Sequence, residues 1–500
     1  MKKQFVTLAE DKKKSSTTTT KKDGVLSISS FLHKNIYEYA LDVAEDRALA
    51  SFRDGLKPSA RRIIKALMDA GAFSNKPTVK SAKIVGDTMG KYHPHGDSGI
   101  ESSLATLVNN QYPLVYGHGN WGSLTDGPAS TRYTECRLSD LGMKFIECSE
   151  IATMVPNYSG EYLEPIDFPT RVPNFFINGC EGIAVGVACT IPEHNLTEII
   201  DALKCVIKKG DKTKTADIMK YIKGPDYRYG GKIISTPEEV AAVYETGSGT
   251  ITYECDYTLT KQGSKVLLTI TGYCPGFKPA QFQNAMIKLY DTKEVIYVND
   301  SSTKTEPCKF EVTLKNEAVF EAKIHKHLIC KESYKFYALD RSKSNSPERD
   351  VDTKIIEPNM VTLMKMWIDY RREIETRVID LALSKEAEKS YKCRLRLAAV
   401  ENLDIIKKSL ESDNPIKLLE DKLPILKKEH KLGDIVGSEF ISDLRLAAIR
   451  KIDTDKIKKE IDEIAKETKR LEADKADIDS VIVKQLNELK QFATERKLKV

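Results

Sequence analysis

From Pro358 to its last residue the chain reads almost wholly as helix, and this restricts what it can fold into more than any other feature. Leu363, Trp367, Tyr370 and Ile374 recur at three- and four-residue steps, the spacing of one helix face. Further on, Ile457, Ile461, Ile464, Thr468, Leu471, Lys475, Ile478 and Ile482 alternate steps of four and three. That is a heptad seam with two polar positions. Two long helices separated by a shorter helical block, at about 400 to 450, are expected to pair as an antiparallel coiled coil. A helix hairpin packed inside a bundle would use the same pattern. The length and high charge favour a protruding arm, whose tip would serve self-association and hence a dimer.

The rest of the chain has two other characters, so the fold class is multidomain α+β. From Ile28 to about Asn157 the text is helical and basic. Ser29-Ser30-Phe31 precedes a predicted helix through Ile36, Tyr39 and Val43. Asp54-Gly55-Leu56-Lys57-Pro58 is a turn signal, and Ser59 is a candidate N-cap for a helix carrying Ile63, Ile64, Leu67 and Met68. Gly71 ends it, and Ser81 to Met89 forms a short helix with Ile84, Val85 and Met89 as its apolar face. Helix, turn and short basic helix fit a helix-turn-helix or winged-helix arrangement. From about 160 to 350, Gly249–Tyr253, Val266–Thr271 and Lys309–Leu314 read as strands and Gln281–Leu289 as a helix. Residues 1 to about 24 carry Lys12-Lys13-Lys14 and a Ser/Thr run, a solvated tail or a basic arm touching DNA or a partner.

Net charge over the 500 residues is only +5, so its distribution matters more than its sum. Between Arg47 and Asp97 there are ten Lys/Arg against four Asp/Glu. The ten cysteines are scattered with no CxxC pair, which suits reduced thiols in a cytosolic compartment and disfavours a structural zinc site. No run of about twenty apolar residues is present, and neither a signal peptide nor a membrane span is expected.

Against that basic background stands Arg132-Tyr133-Thr134-Glu135, beside the glycine-rich run Gly117 to Ser123. A phenol with an unperturbed pKa of about 10 is a poor nucleophile while protonated. A neighbouring guanidinium favours the phenolate and can stabilise charge on phosphorus. Tyrosines are more often packing residues, and Tyr133 is one of 21. A tyrosine nucleophile would store the broken strand as a phosphodiester, and such chemistry usually needs a divalent metal. The basic region offers no compact acidic site, and Asp167 and Asp201 stand isolated.

Other segments keep two readings each. His93-Pro94-His95-Gly96-Asp97 suits a loop making polar contacts to phosphate, or a plain turn, better than a metal site. Arg47, Arg53, Lys57, Arg61 and Arg62 either track a DNA backbone or form a solvated helix face. Gly179 to Gly186, small and apolar around Ile183, is a buried turn-strand element or a wedge for base steps.

Together these segments resemble the breakage-reunion subunit of type IIA DNA topoisomerases, the bacterial gyrase A and topoisomerase IV class. The matching stretches are Arg47 through Pro58 with Arg61-Arg62, Val85-Gly86-Asp87, Gly90 to Asp97, and Arg132 to Glu135. Val172 to Gly186, Ile191 to Leu196 and Asp443-Leu444-Arg445-Leu446 follow in collinear order. The match is weak from about 205 to 350. Composition predicts a disordered basic tail over residues 1–27. The resemblance implies a winged-helix cleavage domain over 28–160, a tower domain over 161–355, and coiled-coil arms with a helical dimer gate over 356–500. It implies Tyr133 as the nucleophile joining a DNA 5′ phosphate and Arg132 as its helper. By the same match Arg47, His93 and His95 line the cleavage site and Ile183 is the intercalating wedge, while Lys57, Arg61 and Arg62 are expected on the DNA from the basic run itself. Mg²⁺ and ATP are expected on an ATPase/metal-binding partner subunit, and double-stranded DNA is the substrate of a homodimer.

Two departures qualify the resemblance. The chain stops at Val500 without the DNA-wrapping β-pinwheel of gyrase A, which favours relaxation or decatenation over supercoiling. This layout looks like the medium subunit of large tailed-phage topoisomerases, which would act in the host cytoplasm. Ser98 matches the serine of the quinolone-contacting helix, but the usual acidic position is Ser102, with Glu101 one place early. The resemblance does not extend to the family's drug–metal bridge there. The rival readings are a non-enzymatic architectural DNA-binding dimer and a tyrosine recombinase or nickase.

Overall fold

The computed structural model describes residues 36, 39–40, 42–124, 126–303, 306–341, 353–410, 412, 414–423 and 454–496. The Lys/Thr tail, the helix start at Ser29-Ser30-Phe31, the Asp443–Leu446 motif and the expected tip of the arm lie outside these residues.

The first layer sets three helices, α1 (Pro58–Asp69), α2 (Ser81–Lys91) and α3 (Asp97–Asn109), against a small antiparallel sheet. Its strands are β1 (Val79–Lys80), β2 (Val115–His118) and β3 (Glu135–Leu138), in the order β1-β3-β2. α1 starts at Pro58 with Lys57 as its cap, two residues ahead of the cap expected at Ser59. Proline has its φ pre-set for a first helical position and no N–H to leave unsatisfied there. Ile63, Ile64 and Leu67 are buried, and Gly71 follows the helix at φ +64°. On α2, Ile84 and Val85 are buried but Met89 is exposed. Thr88 takes the inward position instead, its hydroxyl donating to the Ile84 carbonyl at 2.7 Å.

A buried polar hub ties this layer to the segment that follows. Asp54 Oδ1 accepts from Leu56 N (3.0 Å) and Arg61 Nη2 (2.9 Å), and Oδ2 from Arg61 Nε (2.6 Å) and Phe168 N (3.0 Å). Asp167 lies 3.3 Å from Arg61 Nη2. Burial works against the Arg61 charge, but Asp54 first and Asp167 after it outweigh that and hold the guanidinium firmly protonated. Gly55, at φ +68°, sits so close to the Phe175 backbone nitrogen that a Cβ would lie 2.4 Å from it.

The middle of the chain is strand-rich. A hairpin of β4 (Met154–Pro156) and β5 (Leu163–Pro165) precedes a second hairpin, β6 (Cys180–Ala184) and β7 (Val187–Ile191). With β8 (Lys232–Ile233), β9 (Ser248–Glu254) and β14 (Ile329–Lys335), the second hairpin makes a five-stranded antiparallel sheet ordered β6-β7-β14-β9-β8. A four-stranded antiparallel sheet has the order β10-β11-β13-β12, from β10 (Asp256–Gln262), β11 (Lys265–Gly272), β12 (Val295–Asp300) and β13 (Phe310–Leu314). The three expected strands and the expected helix, observed as Pro279–Asp291, are all present.

After Asn359, whose side chain accepts from Thr362 N, one helix runs over Met360–Glu401. Its 42 residues span about 63 Å. It pairs antiparallel with the helix Thr454–Ala476: Cys393 packs with Ile457 and Ile464, while Asp380, earlier on the long helix, meets Lys475 at 2.6 Å. Ile457, Ile464 and Leu471, seven residues apart, are buried, so this part of the heptad seam is the contact surface, whereas Ile478 and Ile482 of the expected seam fall on the next helix because the helix breaks at Asp477. The last helix, Ile478–Glu495, returns to the body, where Lys490 reaches Asp201. No helix among the described residues is long and apolar enough to cross a membrane.

Two stability tests follow from the buried polar groups. Arg61→Ala leaves two carboxylates without their main cation and should cost about 3–5 kcal/mol in urea denaturation. His194 is fully buried, its Nδ1–H donating to the Phe176 carbonyl at 2.9 Å and its Nε2 accepting from Tyr244 Oη at 2.8 Å. Burial lowers its pKa to about 4, so between that value and the unfolded 6.5 the unfolded state binds the extra proton. Stability from this group is complete above pH 6.5 and falls as pH drops toward 4. Acidification from pH 7 to 5 should remove about 2 kcal/mol through it, and His194→Gln should flatten that part of the denaturation profile.

Candidate active site

The turn that carries Tyr133 is fastened on both sides. Ser81 N donates to the Thr134 carbonyl (3.0 Å) and Ala82 N to the Thr131 carbonyl (3.2 Å), so the start of α2 holds its backbone. The buried Thr134 hydroxyl reaches Ser81 Oγ at 2.9 Å. From the other side, Thr131 Oγ1 donates to Glu101 Oε1 of α3 at 2.9 Å. Gly119 of the glycine-rich run, at φ +105°, lies under the Tyr133 carbonyl, where a Cβ would be 3.3 Å away. The side chain itself is free: Tyr133 is 66% exposed. The Arg132 guanidinium carbon stands 4.8 Å from the centre of its ring. A guanidinium is a planar fork of donors suited to phosphate oxygens. Glu135, two residues on, is occupied by Lys80 (2.8 Å) and the Thr78 hydroxyl (2.6 Å), and the Lys80 contact leads in lowering its pKa.

The loop between α2 and α3 brings His93 and His95 together, rings stacked at 4.4 Å. Arg62 Nη1 donates to His93 Nδ1 at 2.8 Å. Burial first, then the charge of Arg62, lowers the His93 pKa to about 4, so at neutral pH the ring is uncharged. The Arg62 guanidinium already takes the lone pair of His93 Nδ1, and its charge opposes a second cation there, which disfavours the metal reading of this loop. His95 is exposed.

Arg61 and Arg62, expected on a DNA-facing polar side, are buried instead. Arg61 serves Asp54 and Asp167, and Arg62 serves Glu164 and His93. Arg53 is buried as well, over the Tyr370 ring at 4.8 Å. Of the cations expected to face DNA, Arg47 is exposed, as is Arg132 beside Tyr133, while Lys57 is half-buried.

Ile183 stands near the tip of the β6–β7 hairpin and is 80% exposed, which is not the buried element its pattern most often signals. Gly182 beside it allows the Ala48 carbonyl so close that a Cβ would lie 1.9 Å from it, with Lys57 Nζ at 3.4 Å. That approach sets the hairpin against Arg47 and Lys57. A cleft of about 1120 Å³ separates α3, through Ser98, Glu101 and Ser102, from the hairpin at Cys180 and Glu181.

A family model describing the A subunits of DNA gyrase and topoisomerase IV matches residues 47–487. The chain belongs to that family. It is 30% identical to the DNA topoisomerase 4 A subunit of Neisseria gonorrhoeae, over 94% of this chain and 64% of that protein. It is 30% identical to the DNA gyrase A subunit of Clostridium acetobutylicum (94% and 57%) and 32% identical to that of Deinococcus deserti (88% and 54%). The chain therefore spans between about half and two thirds of the length of these relatives.

Within this family member the structure gathers the expected residues into three groups: Arg132 with Tyr133, Arg62 with His93 and His95, and Lys57 with the Ala48 carbonyl that follows Arg47, both against Gly182 next to Ile183. Among the described residues, no hydrogen bond or ring contact joins Tyr133 to the histidines. The anchoring roles of Glu101, Thr131 and Glu164 leave no signal in the sequence, because their partners lie 30 to 102 residues away. Gly182→Ala should push the hairpin off the Ala48 carbonyl and destabilise the protein by about 1–3 kcal/mol, read as a lower denaturation midpoint.

Proposed function

We propose that this chain is the DNA-cleaving and rejoining subunit of an ATP-dependent type II DNA topoisomerase. The observation that carries the reading is the exposed Tyr133 phenol under the Arg132 guanidinium, on a turn fastened to α2 and α3. In this reading the Tyr133 oxygen attacks a phosphorus of the DNA backbone. The Oη–P bond forms, the P–O3′ bond breaks, and the 3′ hydroxyl leaves while the 5′ phosphate stays on the tyrosine. The linkage keeps the energy of the broken strand for resealing. Arg132 supplies positive charge where negative charge grows on the phosphate.

Residues 28–160 serve as the winged-helix cleavage domain and 161–355 as the tower. Residues 356–500 form the coiled-coil arm and gate that make the homodimer. Two copies of Tyr133 then give a staggered double-strand break, a second duplex passes, and the break is resealed. Ile183, 80% exposed next to Gly182 on the β6–β7 hairpin, suits an apolar wedge between base steps. Among the described residues no group of three or more His, Cys, Asp or Glu side chains could hold a metal ion. This reading assigns Mg²⁺ and ATP to a partner subunit, and no step above is routed through them. The assembly works on double-stranded DNA in the cytoplasm.

Denaturant trapping on supercoiled plasmid, with a candidate ATPase partner, Mg²⁺ and ATP, tests the reading. The wild-type chain should leave linear plasmid covalently attached to protein, and relaxed or decatenated circles when the reaction is allowed to finish. Tyr133→Phe should bind DNA and form no adduct. Persistent adducts in that variant would sink the assignment of the nucleophile. Binding with no adduct under any partner or metal condition would favour an architectural DNA-binding dimer, and nicked plasmid as the main product a nickase.

A further inference from the structure

The β4–β5 hairpin grips the end of α2 and the start of the histidine loop. Asn157 Nδ2 donates to the Lys91 carbonyl and Tyr158 Oη to the Gly90 carbonyl (3.0 Å), while the Tyr162 and Tyr92 rings meet edge to face at 6.2 Å. The last contact comes from β5. Glu164, 3% exposed, accepts from Arg62 Nε at Oε2 (2.7 Å) and from Nη2 at Oε1 (3.2 Å). That bidentate pair fixes the plane of the guanidinium. The remaining nitrogen, Nη1, donates to His93 Nδ1 at 2.8 Å.

A guanidinium has donors and no acceptor, so the His93 nitrogen that receives this bond must carry its lone pair. The imidazole proton then sits on Nε2. We propose that Glu164 is a positioning residue for DNA cleavage: through Arg62 it sets the plane and tautomer of His93, so that the loop presents an Nε2–H donor to a DNA phosphate. The inference rests on the proposed function. Glu164 is buried, so it acts through the side chain it holds. Its influence passes through one buried cation to His93, and through the 4.4 Å ring stack to the exposed His95. Without the carboxylate, Arg62 keeps a buried charge with one fewer partner and turns toward other acceptors, releasing the ring.

The test measures single-turnover formation of the covalent DNA adduct by the full chain with its ATPase partner and Mg²⁺, alongside DNA affinity and melting temperature. Glu164→Gln keeps the volume and one acceptor but removes the charge. It should bind DNA as the wild type does and form adduct about 10- to 100-fold more slowly. In a His93→Ala background the same substitution should add little, because the residue it positions is gone. A full multiplicative loss in that background, or an unchanged rate in Glu164→Gln alone, would overturn the positioning role while leaving the proposed function standing. A wild-type chain that forms no adduct would remove both.

Should Glu164→Gln fold poorly, the wild-type protein decides by itself. The ¹⁵N shifts of its histidine rings, with the His93 signal assigned by its loss in His93→Ala, should report an Nε2–H tautomer. An Nδ1–H tautomer, or averaging between the two, would refute the inference.

Discussion

The Asp54 carboxylate and the Arg61 guanidinium form the contact on which the arrangement of the site depends. Burying either charge alone costs several kcal/mol, and the pair is tolerated only because its donors and acceptors are well matched. Asp54 receives two bonds from Arg61 and one each from Leu56 N and Phe168 N, so both of its oxygens are occupied. This bonding closes the turn that delivers Pro58 to the start of α1. It also ties that turn to the Phe168 backbone, while Asn174 Nδ2 donates to the carbonyls of Asp54 and Gly55. Lys57, at the head of α1, is thereby held beside Gly182.

With the backbone fastened, the reactive side chains stay free. Tyr133 and Ile183 are both largely exposed, yet each rises from a segment whose neighbours are tightly engaged. Thr134 is buried against Ser81, and Gly182 is pressed on the Ala48 carbonyl. Fixed main chain with a free tip is what a site needs when its substrate is a large external polymer, because the ordering cost is met in folding rather than at binding. The same logic explains a division among the arginines. Arg53, Arg61 and Arg62 are committed to internal partners, whereas Arg47 and Arg132 stand at the surface.

Much of this is legible in the sequence. The heptad seam marks the real contact between the long helix and Thr454–Ala476, and the three expected strands lie where alternation puts them. Collinear motifs point to the family without any geometry. What stays hidden depends on long-range pairing. A dibasic Arg61-Arg62 beside an apolar stripe reads as surface, and only Asp167 and Glu164, more than a hundred residues on, reveal that both are interior. The Ser59 cap is displaced because Pro58 is the better first residue, a local competition that pattern reading resolves the wrong way. Met89 loses its inward position to Thr88, whose hydroxyl finds a carbonyl one turn back.

The hub also reaches the long helix, which gives the two ends of the fold a shared mechanical element. Tyr370 on that helix donates to the Phe168 carbonyl (3.1 Å), next to the amide that Asp54 binds, and its ring lies under Arg53. One turn on, buried Glu375 takes Arg171 through both oxygens at 3.0 Å and also accepts from Gln485 of the last helix. Burial alone would raise the Glu375 pKa, but Arg371 and Arg171 outweigh it and keep the carboxylate charged. Sliding the long helix along its axis would strip these buried donors and acceptors of their partners, each at a cost of about 1–3 kcal/mol. Motion between the helical pair and the Tyr133 layer therefore has to carry the Phe168–Asn174 segment as a unit, or else occur further along the helix, past Arg377, which donates to the Ile151 carbonyl. The part of that helix past Ile379 is held by fewer buried residues, and Lys475 meets Asp380 there through an exposed pair. Bending is cheapest where the buried polar contacts end.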